Sequence, residues 1–275
     1  MILALKRISK KRGGTEQGTK SKFGLWILGF VFITLVSFIY HLPASWVLQQ
    51  AEQQQLIPKG MKLTQVKGTL WQGQAQLSLV EKAQTNALGQ FHWQLSGWAL
   101  LSLQADIDFK LNTANGGARG NLHTGLMNQE DIRVSKLEGL LPVNDLKPIL
   151  PKNVRSLGEL KGQLTLNNLQ LSWNQPTQWL ISAEGSVELT ELDVMGVVIP
   201  KIAISPTIKE NKLHLDTVGG GQGWSLTGQA LVSTKEYQTD FKLKADNPDS
   251  MPDWTELIMR KNSAVLATYK QKGRM

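Results

Sequence analysis

The chain has 275 residues, room for one large domain or two small ones, and its 41% hydrophobic and 19% charged residues fit neither a polytopic membrane protein nor a disordered chain. Of the net charge of +8, Met1–Lys22 carries +6 (seven Lys or Arg against one Glu), which leaves +2 for the rest; a nucleic-acid face needs cations spread over a folded surface, so nucleic acid is excluded as a partner. Cysteine is absent, which excludes disulfide scaffolds, thiol nucleophiles and Cys-ligated zinc.

After the basic tail of 1–22 comes Phe23–Leu42, FGLWILGFVFITLVSFIYHL, without an Asp, Glu, Lys or Arg. About 20 apolar residues at about 1.5 Å each match the roughly 30 Å hydrocarbon core of a bilayer. A cleaved signal peptide has a shorter apolar region ending in small residues; this one ends in Tyr40, His41 and Leu42, with Trp46 close behind. The sequence therefore predicts an uncleaved transmembrane helix over 23–42, with Trp26, Tyr40 and Trp46 near the interfaces. Lys6, Arg7, Lys10, Lys11, Arg12, Lys20 and Lys22 precede it, which keeps the tail cytoplasmic and translocates the rest. Over 43–57 the Gln-, Ala- and Leu-rich run from Pro43 predicts a short juxtamembrane helix that Ile57 and Pro58 end.

From there the period changes to two, and 58–250 reads as a β domain. Odd positions from Phe91 to Leu111 include Phe91, Trp93, Leu95, Leu101, Leu103, Ala105, Ile107 and Phe109; even ones include His92, Gln94, Ser96, Ser102, Gln104, Asp106, Asp108 and Lys110. Such alternation puts one face in a core and the other in water. Its length predicts two strands with a bend near Gly97–Trp98. The pattern returns in Leu160–Trp173, with a turn expected at Asn167–Asn168, and in Ile181–Val194, Lys201–Ile204, Leu213–Leu215, Trp224–Ser233 and Asp240–Ala245. A charge-Gly-x-apolar echo recurs at Gly68, Gly139, Gly162 and Gly185, the last three spaced by 23, which predicts a repeated unit of two strands and two turns. The fold class expected is mainly β: one N-terminal transmembrane helix followed by an elongated, curved antiparallel sheet of repeated hairpins. The last residues, 251–275, read as a C-terminal tail.

Within this pattern Val66–Leu79, VKGTLWQGQAQLSL, sets two glycines around a tryptophan. A phosphate loop needs Lys and then Ser or Thr after its last glycine, whereas Gly73 is followed by Gln74 and Ala75. The stretch reads as a strand start, in which Gly68 and Gly73 permit a bulge or a close backbone approach; Trp71 reads as a core residue in preference to a platform for a ligand. His41, His92, His123 and His214 are scattered, and none begins a metal-ligand spacing. Asp106 and Asp108 share a strand face, but Gln104 and Lys110 continue it as a wet face. Gly219–Gly223 precedes a strand in place of a helix and reads as a hairpin loop. No catalytic, cofactor-binding or metal-binding residue is therefore expected, and the chain reads as a non-enzyme without a cofactor.

Read together, the basic tail and single span, Leu42-Pro43-Ala44 with Trp46, Val66-x-Gly68-Thr69-Leu70-Trp71-x-Gly73-x-Ala75, Trp93 with Leu100–Leu101, Leu141-Pro142, and Leu160-x-Gly162-x-Leu164 resemble the type II secretion system protein N family. The resemblance runs from about Leu42 to Ala245. It implies a single-pass protein of the Gram-negative inner membrane, its bulk periplasmic, that binds other inner- or outer-membrane components of the secretion machine in support of folded exoprotein export. Gly68, Leu70, Trp71, Gly73, Trp93, Gly162 and Leu164 carry the motif as structural or partner-binding positions. The TLWxG segment is also similar to AsmA-like periplasmic sheet proteins, which implies the alternative of lipid handling or envelope maintenance through an apolar groove. The two differ in whether the apolar face of Phe91–Leu111 is covered by protein or open to lipid.

Overall fold

The computed structural model describes residues 19–53, 60–81, 84–125, 131–149, 161–177, 179–194 and 197–274. The chain divides into two units, Met1–Leu42 and Pro43–Met275. The first contains α1 (Thr19–Tyr40), an unbroken helix of 22 residues. It ends where His41 N–H donates to the Ser37 carbonyl at 3.1 Å and Leu42 N–H to that of Ile39 at 3.3 Å; the following Pro43 disfavours helical geometry at Leu42. The side chains of α1 are described from Trp26 onward, and Trp26, Phe30, Phe32 and Phe38 are all exposed. Among the described residues no helix is long and apolar enough to cross a membrane. The spanning helix expected over 23–42 is thus not carried by the described residues, and most of the expected tail, 1–18, lies outside them.

In the second unit α2 (Ala44–Gln53) falls inside the helix expected over 43–57, whose last residues are outside the description. It is followed by β1 (Met61–Gly68), β2 (Gln72–Glu81), β3 (Gln84–Leu95), α3 (Gly97–Leu101), β4 (Gln104–Asn112), β5 (Gly117–Gly125), β6 (Asp131–Pro142), β7 (Lys161–Asn174), β8 (Trp179–Val194), β9 (Val197–Lys209), β10 (Lys212–Gly221), β11 (Trp224–Val232), β12 (Glu236–Ala245), α4 (Thr255–Ile258), β13 (Arg260–Ser263) and β14 (Leu266–Arg274). Among the described residues the fourteen strands form one antiparallel sheet in the order β1 to β12, then β14, then β13. The expectation of one antiparallel sheet of hairpins holds, since each strand up to β11 pairs with its neighbours in sequence. At about 4.8 Å between strands the sheet extends over about 60 Å along its hydrogen-bonding direction.

The register aligns one apolar row across the sheet. It runs Ala75, Phe91, Leu111, Ala118, Gly139, Leu166, Val187, Ile204, Thr217, Gly228, Phe241 and Tyr269, each directly opposite the next. The opposite face is polar, with Lys270 and Lys272 of β14 bridging Asp240 and Glu236 of β12 at 2.7 and 3.2 Å. A sheet with one apolar face must cover that face, and the sequence does so partly from within. Trp93 faces Gly73, Phe109 faces Gly120, Phe241 faces Gly228, Trp224 faces Gly221 and Tyr237 faces Gly273 across adjacent strands. A Cβ on any of these glycines would come under 3.0 Å from the ring it faces. The rings therefore lie along the sheet on ground the glycines leave bare.

Short helices cover parts of the rest locally. A 3-10 helix at Val143–Ile149 packs on β2, β3, β6 and β7, where Leu141 and Val143 are buried. At the C-terminal end Met251, Trp254 and Met259, around α4, close over Leu226, Leu243 and Ala267, with Trp254 edge-on to Trp224 at 6.1 Å. Leu243, Thr255 and Ala267 are fully buried there.

Several expectations change. The bend at Gly97–Trp98 is real but is α3, and its Trp98 is 84% exposed. Asn167–Asn168 is not a turn: β7 runs through it, with Asn168 at φ 44° inside a bulge between Asn167 and Gln170. Gly219–Gly221 belongs to β10 and only Gln222–Gly223 forms the turn. Gly139, Gly162 and Gly185 sit on β6, β7 and β8, so the interval of 23 is one strand with its connection and not a hairpin. The segment 251–275, expected as a tail, supplies α4 and two strands of the sheet.

Candidate functional site

The motif around Trp71 is the hairpin between β1 and β2. Gly68 and Gly73 are directly opposite one another, and Thr69 N–H donates to the Gln72 carbonyl at 2.8 Å. Gly68 has φ +100°, and a Cβ there would fall 2.7 Å from Gly73 Cα, so the turn closes only with glycine. Two bonds tie the hairpin to β3: Leu95 N–H donates to the Trp71 carbonyl at 2.6 Å, and Trp93 Nε1 to the Leu70 carbonyl at 3.3 Å. Thr69 also pairs with Pro43, which fixes the start of α2 against the turn.

From that start α2 presents Ala44, Val47 and Leu48, the i, i+3, i+4 spacing of one helix face. Ala44 is 2% exposed. These three roof a cavity of about 230 Å³ whose floor is Phe91, Trp93, Leu95, Ile107, Phe109 and Leu122, closed at the hairpin side by Leu63 and Leu70. Phe91 stacks between Trp93 at 6.2 Å and Phe109 at 6.0 Å, so the floor is a continuous aromatic surface. Every lining residue is apolar. The face expected to be apolar in Phe91–Leu111 is therefore partly roofed by α2, with an apolar cleft in between.

Of the seven positions singled out in the sequence, Gly68, Leu70, Trp71, Gly73 and Trp93 converge here. Gly162 and Leu164 do not: Leu164 pairs with Leu141 and Leu189 on β7, and Gly162 at φ +132° lets β8 pass, with Leu192 Cα 3.0 Å from where its Cβ would be. The contribution of Val47 and Leu48 went unread, although their spacing after Ala44 is a legible helix face.

Over the same strands Lys110, Arg119, Lys136, Asp108, Glu138 and His92 rim an open dish of about 500 Å³ that Trp93 and Phe109 also line. Arg119 pairs with Glu138 at 2.9 Å. Asp106 and Asp108 both accept from Asn121 Nδ2, which accounts for their shared face without proton chemistry. His92 stands opposite Lys110, His123 opposite Arg133, and His214 Nδ1 lies 3.3 Å from Gln229 Nε2. Among the described residues no group of three or more His, Asp or Glu is placed to hold a metal ion.

A single antiparallel sheet stitched to short helical covers is the class this fold defines. Residues 59–263, from the start of β1 to the end of β13, match the family described as Type II secretion system (T2SS), protein N. The chain belongs to that family. A protein of Vibrio cholerae serotype O1 called Type II secretion system protein N is 26% identical over 261 residues, covering 90% of this chain and 96% of that protein. No solved structure matches.

Proposed function

We propose that this protein is an accessory component of the type II secretion system in the inner membrane. Its tail over 1–22 is cytoplasmic, the apolar segment 23–42 spans the bilayer, and the sheet stands in the periplasm. There it binds other inner- or outer-membrane subunits of the machine and so supports export of folded exoproteins across the outer membrane. The observation that carries this reading is the family match over 59–263, which takes in nearly the whole sheet. Charge supports the orientation, because all the cations near the apolar segment 23–42 precede it. The exposed, uncharged stretch Trp26–Tyr40 supports the anchor, since water is a poor solvent for such a surface.

The role is binding in preference to catalysis. Among the described residues β1 pairs on one side only, with β2, and an eight-residue edge is a template on which a partner can add a strand. The other edge, β13, is four residues long, fully exposed and opens with Arg260 and Lys261, features that deter such pairing. A deletion strain tests the whole: exoprotein activity is expected to fall in the medium and rise in the periplasm, with detergent sensitivity unchanged. Normal secretion with a leaky envelope would overturn the proposal in favour of the lipid-handling alternative.

A further inference from the structure

We propose that the cleft beneath α2 binds one acyl chain of a membrane phospholipid. Its lining consists only of Ala, Val, Leu, Ile, Phe and Trp side chains around about 230 Å³. The one polar side-chain atom among them, Trp93 Nε1, is already committed to the Leu70 carbonyl at 3.3 Å. Water in such a space has none of the two to four polar partners that hold a buried water, whereas apolar molecules enter such cavities readily. A peptide segment would carry backbone N–H and C=O groups into walls that offer them no bond. A hydrocarbon chain carries none.

Chain connectivity says where that hydrocarbon comes from, and this step rests on the proposed anchoring by α1. Ala44, the first roof residue, is two residues past Leu42. Two residues reach at most about 7 Å, and the whole of α2 is about 15 Å long. A chain anchored over 23–42 therefore tethers the first roof residue to the end of its membrane segment by two residues. Trp46, 54% exposed on the same helix, is the residue type that settles at a bilayer interface.

The test uses the full chain reconstituted in vesicles of phosphatidylethanolamine and phosphatidylglycerol, doped with a phosphatidylcholine bearing a diazirine on one acyl chain. After irradiation, peptide mapping is expected to place adducts on Val47, Leu48 or Ile107 as well as on α1. Adducts confined to α1 would overturn the cleft proposal and leave the anchor standing; adducts on neither would overturn both. Val47→Phe fills the cleft, and its cleft adducts are expected to fall about tenfold, a typical penalty for a mismatch in an apolar pocket, with α1 labelling and the thermal midpoint unchanged. Undiminished cleft labelling in that variant, or cleft residues that crosslink to another protein in native membranes in place of lipid, would overturn it.

Discussion

Trp93 lies over Gly73, its partner across the β2–β3 pair, and reaches past it to bond the Leu70 carbonyl. One ring thereby covers the bare backbone of one strand and pins the turn that begins it. Four other aromatic–glycine pairs repeat the covering half of this arrangement along the sheet.

Adding a methyl beneath these rings is expected to destabilise. A Cβ on Gly73 would sit 2.6 Å from the Lys67 carbonyl oxygen as well as inside the Trp93 ring, and one on Gly228 2.8 Å from the Asp240 carbonyl. Neither backbone can move without breaking the ladder, so Gly73→Ala and Gly228→Ala should each cost about 1–3 kcal/mol in urea denaturation. Gly97→Ala is the control, since its Cβ would meet the Trp71 ring at an ordinary 3.5 Å. Equal costs for all three would show that ring covering is not what these glycines serve.

The two faces of β3 and β4 should differ in tolerance. Ile107 lines the apolar cleft and Gln104 is exposed at the start of the same strand. Ile107→Asp or Trp93→Asp should cost more than about 2 kcal/mol, because the cleft offers a carboxylate no partner. Gln104→Asp should stay within about 0.5 kcal/mol. Matching losses at both positions would mean the faces are misassigned.

Ending the chain after Ser250 removes the cover over Leu243 and the strand that pairs β12. The truncated protein is expected to aggregate or unfold. Met251→Ala and Met259→Ala, each 8% exposed, test the same packing more gently at about 2–5 kcal/mol apiece. A truncated chain with an unchanged melting profile would restore the reading of this segment as a tail.

Glu256 and Lys261 link α4 to β13 at 2.7 Å. The hydrogen bond and the charge of Lys261 hold the Glu256 carboxyl below its ordinary value. A lowered folded value means the pair favours the folded state above the ordinary carboxylate range and loses that effect as pH falls through the lowered value. In Lys261→Met the carboxyl should titrate at higher pH, read by NMR of the side-chain carbons. An unmoved titration would show that the pair does not persist in solution.

Where a strand carries its own large apolar residues, the sequence spoke plainly. Phe91, Trp93, Ile107 and Phe109 announced both the face and the period. β5 was silent for a physical reason: Gly120, facing Phe109, and Gly117 leave gaps in its alternation that the neighbouring strand fills. β13 has no apolar face at all, since Arg260 to Ser263 are all exposed. At the candidate site five of the seven motif residues, those of the hairpin and β3, lie together in the fold. Gly162 and Leu164 echoed the same letters, yet what they share with the hairpin is a need for bare backbone and not a location. The helix expected after Pro43 was found, but amphipathic spacing names a buried face without naming the surface that buries it.

The meander also governs how the chain can fold. Nearly every ladder joins a strand to the one just made, so the loops to be closed are short and the contact order is low. If the domain emerges into the periplasm from its N-terminal end, each strand can dock as it arrives, with no stretch waiting for a distant mate. The exception is at the end, where β12 passes over β13 and takes β14. Its edge must stay open until β14 is delivered, which makes β14 the latch that closes this part of the sheet.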